Sequence, residues 1–190
     1  SSDLTTETQN CRCCMTLELR FSERGMSTVP DTLDQEQRTV SATIATETPV
    51  VVADPRKPGM GMREVLLMSG ADIPEQVPLL DAHDRSSVKS VIGSVKVARE
   101  GDKLTGRLSF SATNDGQAAF DLVREGHLKD TSIGYRVLEA VRVPEGKREV
   151  IDGKTFTGPV SVVKRWTLRE VSATPIGADQ LAKIRSEMLG

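Results

Sequence analysis

Short segments in which apolar and polar residues alternate recur along this chain and limit the folds open to it. In Thr39–Thr46, Val40, Ala42 and Ile44 alternate with hydroxyl residues, which is the period of a strand with one buried face. Further strand-like runs cover residues 64–68, 77–80, 91–97, 104–110, 132–141 and 160–172. So many short strands predict a mainly β domain.

Turn signals separate these strands. Prolines and glycines make residues 54–62 a loop, and residues 144–153 form another turn region. Between two strand-like runs, Gly101-Asp102 is typical of a hairpin turn, because both residues tolerate positive φ.

The clearest helix begins near Asn114, a suitable N-cap, and ends before Gly126. A second amphipathic helix is predicted over residues 178–188. Many strands with one or two helices favour an α+β domain in which a β-barrel or curled sheet carries helices.

The length of 190 residues suits one domain, and an aromatic content of only 3% requires a core of Val, Leu and Ile. Residues 1–36 are rich in Ser, Thr, Glu and Gln and have no sustained period, so we expect an extended or disordered arm before a folded domain over 37–190. Because the chain starts at Ser1, we expect a processed or partial product of a longer chain.

Charge and hydropathy exclude several classes of function. The net charge is −2 with both signs mixed, whereas a nucleic-acid binder would carry a basic stripe. No apolar run reaches the roughly 18 residues of a membrane span, and no secretory leader is evident. We therefore expect a soluble intracellular protein that binds neither nucleic acid nor membranes.

The cysteines do not indicate a disulfide framework or a metal site. Cys11, Cys13 and Cys14 lie within four residues, and His83 and His127 are the only histidines and are far from them. Phosphate-binding and dinucleotide-binding glycine motifs are also missing. The sequence thus predicts no metal and no cofactor.

His83 and Ser132 are candidate catalytic residues. His83 follows an apolar pair and has acidic neighbours, and Ser132 lies where a helix exit gives way to a strand. Gly134 would allow a substrate chain to approach closely. Serine and histidine are the nucleophile and base of serine hydrolases. A surface histidine in an acidic turn and a strand serine beside a bulge glycine explain the same residues without chemistry.

A third member of such a site would be a carboxylate or a second histidine. Glu170 is the first candidate and is expected to share a strand face with Leu168 and Ser172. His127 ranks second and Asp130 third. A carboxylate fixes the imidazole tautomer and stabilises the imidazolium that forms during attack.

Four segments, in this order, resemble the prohead proteases of tailed bacteriophages, which are distantly similar to herpesvirus assembly proteases. They are residues 78–84 (PLLDAHD), 92–95 (IGSV), 126–135 (GHLKDTSIGY) and 168–175 (LREVSATP). The resemblance spans about residues 38–185. No single motif is specific, but their ordered combination is.

The resemblance implies a closed or nearly closed β-barrel surrounded by a few helices. It also implies a serine endopeptidase in which His83 takes the proton from Ser132 and Glu170 orients His83. Backbone N–H groups would hold the oxyanion. In the herpesvirus relatives an arginine-bearing loop contributes, and Lys164-Arg165 lies at a comparable distance downstream.

The same resemblance implies a biological role. Such enzymes act inside the immature capsid, the prohead, in the bacterial host cytoplasm. Their substrates are scaffold segments and the major capsid protein, and finally the enzyme itself. Self-association is expected. The N-terminal arm would suit a chain that is trimmed or fused to a scaffold or capsid protein.

Two other readings stay open from the sequence. A non-catalytic relative of the same fold could act as a capsid-assembly scaffold module. An unrelated hydrolase, such as an esterase, could use the same Ser/His pair.

Overall fold

The computed structural model describes residues 32–184. Eleven strands and one α-helix occur in this range, and two short 3-10 turns, Met68–Gly70 and Val88–Ser90, join some of them. The elements are β1 (Thr39–Thr46), β2 (Val50–Ala53), β3 (Gly61–Leu66), β4 (Ala71–Asp72), β5 (Gln76–Asp81), β6 (Val91–Glu100), β7 (Lys103–Phe110), α1 (Asn114–Arg124), β8 (Asp130–Val143), β9 (Arg148–Ile151), β10 (Lys154–Thr157) and β11 (Val160–Thr174).

The long strand β11 organises a nine-stranded sheet. Its hydrogen-bonded order is β1-β7-β6-β5-β11-β3-β2, and β4 and β8 also pair with β11. One edge of β11 takes β8 antiparallel along its whole length, and β3, β4 and β5 pair with it in parallel. β9 and β10 form a separate hairpin. The C-terminal end of β5 and the N-terminal end of β8 therefore both lie beside the C-terminal end of β11.

The mainly β fold predicted from the alternating segments is confirmed, but the closed barrel is not. The sheet order ends at β1 on one side and β2 on the other, so the sheet is not closed. The expected surround of several helices is also wrong, since residues 32–184 contain one α-helix. No helix in this range is long and apolar enough to cross a membrane.

The predicted hairpin turn and the predicted end of the first helix are both confirmed. β6 and β7 pair through the predicted Gly101-Asp102 hairpin. α1 ends before Gly126, which has a φ of 75°. The N-cap is Thr113 rather than Asn114, because the Thr113 hydroxyl accepts a hydrogen bond from the Gly116 backbone nitrogen at 3.2 Å.

The predicted helix over residues 178–188 is wrong for its described part, and residues 185–188 lie outside the described residues. Residues 178–184 contain no helix. Instead Ile184 bridges to Ala42 of β1 and Lys183 to Asp130 of β8. Ala182 and Ile184 are both buried, and their separation of two residues is the period of an extended strand. Pairing with the sheet, rather than helical periodicity, therefore determines the conformation of this segment. The predicted turn region 144–153 likewise contains β9.

The core is aliphatic, as the composition predicts, with a few aromatic anchors. Trp166 is fully buried, and its indole N–H donates to the Leu67 carbonyl at 2.9 Å. Phe120 of α1 packs against Phe110 of β7 with ring centroids 5.6 Å apart, which holds the helix on the sheet. Ahead of β1, Leu33 also packs against this core. The predicted arm over residues 1–36 lies mostly outside the described residues.

Candidate active site

The end of β5 places His83 in a strained turn. Ala82 and His83 have φ values of 43° and 64°, a region that costs residues with a Cβ about 1–3 kcal/mol each. Two hydrogen bonds to β11 hold the turn: the Ala82 nitrogen donates to the Ala173 carbonyl, and the His83 nitrogen donates to the Ser172 hydroxyl, both at 3.0 Å. The histidine is thus fixed at its backbone beside β11.

A β-bulge in β11 directs Glu170 to the same place. Leu168 pairs with Tyr135 of β8 and Glu170 pairs with the adjacent Gly134, so Arg169 is an extra residue. Because Tyr135 and Gly134 are consecutive, Leu168 and Glu170 lie on opposite faces of the sheet. Leu168 belongs to the core. The prediction that Glu170 shares a face with Leu168 is therefore wrong, because simple alternation does not anticipate a bulge.

The Glu170 carboxylate is buried and fully bonded. It is 2% exposed. One oxygen, Oε1, lies 2.8 Å from His83 Nδ1 and 2.9 Å from Arg85 Nη2, and Oε2 accepts from the Ser172 hydroxyl at 2.8 Å. A carboxylate only accepts hydrogen bonds, so His83 Nδ1 carries the proton and Nε2 is left as the basic nitrogen of the neutral ring.

Ser132 lies on the neighbouring strand, across from Ser172. The two residues are partners in the antiparallel β8–β11 pair, where facing Cα atoms are about 4.5–5.5 Å apart. Ser132 is half-buried, whereas Ser172 is fully buried. In the part of the chain that the structure describes, no hydrogen bond joins Ser132 to His83. The structure thus brings His83 and Glu170 into contact. It places Ser132 on β8, which pairs with β11 on the side opposite β5.

Position 134 requires a glycine because the Glu170 carboxylate lies where a side chain would be. A Cβ at position 134 would lie 2.2 Å from Glu170 Oε1 and 2.3 Å from Arg85 Nη2. The sequence-based interpretation, that a missing side chain leaves room for a substrate, is therefore wrong at this position. The Glu170–Arg85 pair occupies that room.

The other two candidates for the third residue have partners elsewhere. The His127 side chain is 69% exposed, and its closest acidic group is Glu125 at 3.9 Å. Asp130 accepts from the Gly177 nitrogen at 3.0 Å and forms an ion pair with Lys183. Asp130 thus anchors the segment that follows β11, and neither residue contacts His83.

Asp84, next to His83, orders its own loop. Its carboxylate accepts hydrogen bonds from the Ser90 hydroxyl and the Ser86 backbone nitrogen. These bonds, that of Ser90 first, lower the pKa of Asp84 to about 2. Asp84 therefore stays ionised and fixes the loop that follows His83.

Arg85 and Ser172 complete the site and were not predicted. Ser172 could have been found, because it lies two residues from Glu170 and shares its strand face. For Arg85 the sequence offers no signal, since its contact with Glu170 joins residues 85 positions apart. The predicted oxyanion candidates are remote: Arg165 precedes Glu170 by five residues, about 16 Å along the strand, and Lys164 pairs with Glu139 and Asp152.

Two clefts flank the loop that carries His83. One, of about 570 Å³, has an apolar lining of Pro78, Leu80, Val88, Val91 and Tyr135 and a polar lining of Asp84, Arg85, Ser86, Ser87, Arg169 and Glu170. The other, of about 430 Å³, lies against α1, and its apolar residues include Ile92, Ala119, Leu122 and Leu128. Among residues 32–184, no group of three or more His, Cys, Asp or Glu side chains is arranged to hold a metal ion.

A histidine bonded to a buried carboxylate, with a serine on the adjacent strand, is the kind of arrangement that serine hydrolases use. Residues 63–189 match the family model described as caudovirus prohead serine protease. The chain belongs to this family, which is the one its motifs resemble. Comparisons with curated proteins and with solved structures gave no match.

Proposed function

We propose that this protein is a serine endopeptidase that cleaves capsid and scaffold proteins during prohead maturation. The observation that carries the proposal is the 2.8 Å contact between His83 Nδ1 and Glu170 Oε1 in a member of a serine protease family. Ser132 is the nucleophile, His83 the general base and Glu170 the residue that orients His83.

In the proposed reaction, His83 Nε2 takes the proton of the Ser132 hydroxyl as the oxygen attacks the scissile carbonyl carbon. The Glu170 carboxylate stabilises the imidazolium that results, and backbone N–H groups hold the oxyanion. His83 then gives the proton to the leaving amine. Water, deprotonated by the same histidine, releases the acyl group from Ser132.

Ser132 suits the role of nucleophile better than Ser172. The Ser172 hydroxyl donates to Glu170 and accepts from the His83 backbone, and it is fully buried. A buried hydroxyl whose two hydrogen bonds are both made within the protein positions its neighbours and does not attack substrate. Ser132 lies on the same row of the sheet and is half-exposed. Its bond to His83 forms when substrate is bound, because catalytic hydrogen bonds often tighten only then.

The proposed role places the enzyme in the immature capsid of a phage-infected cell, where it removes scaffold segments and cuts capsid subunits. We further propose that it cleaves its own chain and that copies associate. Intact mass spectrometry at increasing protein concentration tests self-cleavage: a single uncleaved mass with Ser132 intact would rule it out. Analytical ultracentrifugation tests association.

The main experiment is co-expression with the capsid protein of the same phage, followed by mass spectrometry of both chains. Wild type should give shortened capsid chains, and Ser132→Ala should give full-length ones. Ser109→Ala is a matched control, because Ser109 is a half-buried strand serine on β7, two strands from β5. Full-length masses from all three proteins, with particles still assembling, would favour a non-catalytic scaffold role.

A further inference from the structure

We infer that the 570 Å³ cleft beside Glu170 is a substrate subsite that selects an acidic side chain, and that Arg169 is its specificity-determining residue. The inference rests on the proposed peptidase function and adds the substrate class. The cleft combines an apolar lining with four charged groups, Asp84, Arg85, Arg169 and Glu170. The apolar lining fits the methylene groups of a glutamate side chain, and the unpaired guanidinium of Arg169 fits its carboxylate.

The β-bulge that directs Glu170 toward His83 also places Arg169 at the cleft. Arg169 is the extra residue of the bulge and is exposed, whereas its neighbours Leu168 and Glu170 are buried. Bulges commonly re-aim side chains next to active sites. One backbone irregularity thus supplies the carboxylate of the site and a cation to the cleft beside it.

Arg169 is the charged group of the cleft without a protein partner. Arg85 pairs with Glu170, whose two oxygens are both bonded, and the Asp84 carboxylate is bonded to Ser86 and Ser90. Within residues 32–184, the Arg169 side chain has neither an ion pair nor a hydrogen bond. Its guanidinium is free to bind an incoming carboxylate through two parallel N–H···O bonds.

The distance to Ser132 sets which substrate residue can reach the cleft. Arg169 is three residues along β11 from Ser172, the strand partner of Ser132, which corresponds to about 10 Å. An extended peptide advances about 3.3–3.6 Å per residue. The acidic residue should therefore lie within about three positions of the scissile bond.

Digestion of a peptide library tests the inference. The full chain is incubated with peptides of varied sequence, and cleavage sites are identified by mass spectrometry. Wild type should enrich Glu or Asp at one position within three residues of the cut, roughly tenfold over Gln or Asn, as a bidentate Arg–carboxylate pair at an exposed site predicts. Arg169→Gln should lose this preference, and Arg169→Glu should reverse it toward Lys and Arg.

Arg165→Gln is the matched control, because Arg165 is an exposed arginine of the same strand outside the cleft. It should keep the wild-type preference. Cleavage by wild type without an acidic preference, or a preference that survives in Arg169→Gln, would overturn the inference while leaving the peptidase function standing.

A binding measurement decides the question even if the isolated chain cleaves nothing. Two fluorescent hexapeptides that differ only by Glu or Gln are titrated into the Ser132→Ala protein and into Ser132→Ala/Arg169→Gln. The Glu peptide should bind roughly tenfold more tightly to the first protein and equally to the second. Equal binding of both peptides to the first protein would refute the acidic subsite.

Discussion

Gly134 stands directly opposite Glu170 in the β8–β11 pair, and the carboxylate of Glu170 fills the space where a side chain at 134 would lie. The glycine of the Ser-Ile-Gly-Tyr segment is therefore part of the candidate site through its missing Cβ. It allows the acid, the histidine and the arginine to meet above β8.

Gly134→Ala should lower cleavage strongly without unfolding the protein. Its Cβ would overlap Glu170 Oε1 and Arg85 Nη2, so the carboxylate must leave His83. Misplacement of about 1 Å in such a site lowers activity by about 10²-fold or more. The measurement is kcat/KM on a capsid-derived peptide beside a thermal unfolding curve. Wild-type activity in a folded variant would show that the carboxylate position is unimportant.

Glu170→Gln tests the acid itself. The amide keeps the shape of the side chain but cannot stabilise an imidazolium, so kcat should fall by about 10³–10⁴-fold. His127→Gln is the matched control, because His127 is exposed and does not contact His83, and it should retain full activity. Loss of activity in His127→Gln with activity kept in Glu170→Gln would reverse the assignment of the third residue.

Ser172→Ala should weaken both the site and the fold. The change removes the donor to Glu170 Oε2 and the acceptor of the His83 backbone nitrogen. Leaving such a buried group unsatisfied costs about 1–3 kcal/mol of unfolding free energy. Urea unfolding and peptide kinetics measure the two effects. Ser161→Ala, a buried serine of the same strand away from His83, should leave kcat unchanged.

Glu64→Gln should change how stability depends on pH. Burial raises the pKa of Glu64, while the hydrogen bond from Tyr135 acts in the opposite sense and is smaller. An acid with a raised pKa in the folded state binds more protons there than in the unfolded state. Its contribution to stability is therefore full below the ordinary pKa near 4.5 and falls as pH rises through the folded pKa.

The amide has no such titration, so the variant should lose less stability than wild type between pH 4.5 and neutrality. Urea unfolding at a series of pH values measures this difference. Glu149→Gln, an exposed glutamate of β9, is the control and should follow wild type. The contribution of Asp84 to stability changes in a different pH range. Because its pKa is lowered to about 2, this contribution is lost only as pH falls toward that value.

Local periodicity and motif order predicted a large part of this molecule. The alternating segment Thr39–Thr46 has the same bounds as β1, and its apolar residues Val40, Ala42 and Ile44 are all buried. The sequence ranks Glu170 ahead of His127 and Asp130 as the third member of the site, and the structure places Glu170 in contact with His83. Whether His83, Ser132 and Glu170 act together in catalysis stays a prediction.

What the sequence missed depends on contacts between distant segments. The bulge at Arg169 is a shift in the register between β8 and β11, and no local sequence pattern encodes that register. The contact of Arg85 with Glu170 has the same origin. The segment around Ala182 has helical spacing, but hydrogen bonds to Thr43 and Thr131 hold it between β1 and β8.

The most direct test of the central claim is covalent labelling of the nucleophile. The full chain is treated with a fluorophosphonate, and the modified residue is identified by peptide mass spectrometry. We expect one adduct, on Ser132, in wild type and a strongly reduced yield in His83→Ala and Glu170→Gln. An adduct on Ser172, or labelling of Ser132 that does not depend on His83, would contradict the account.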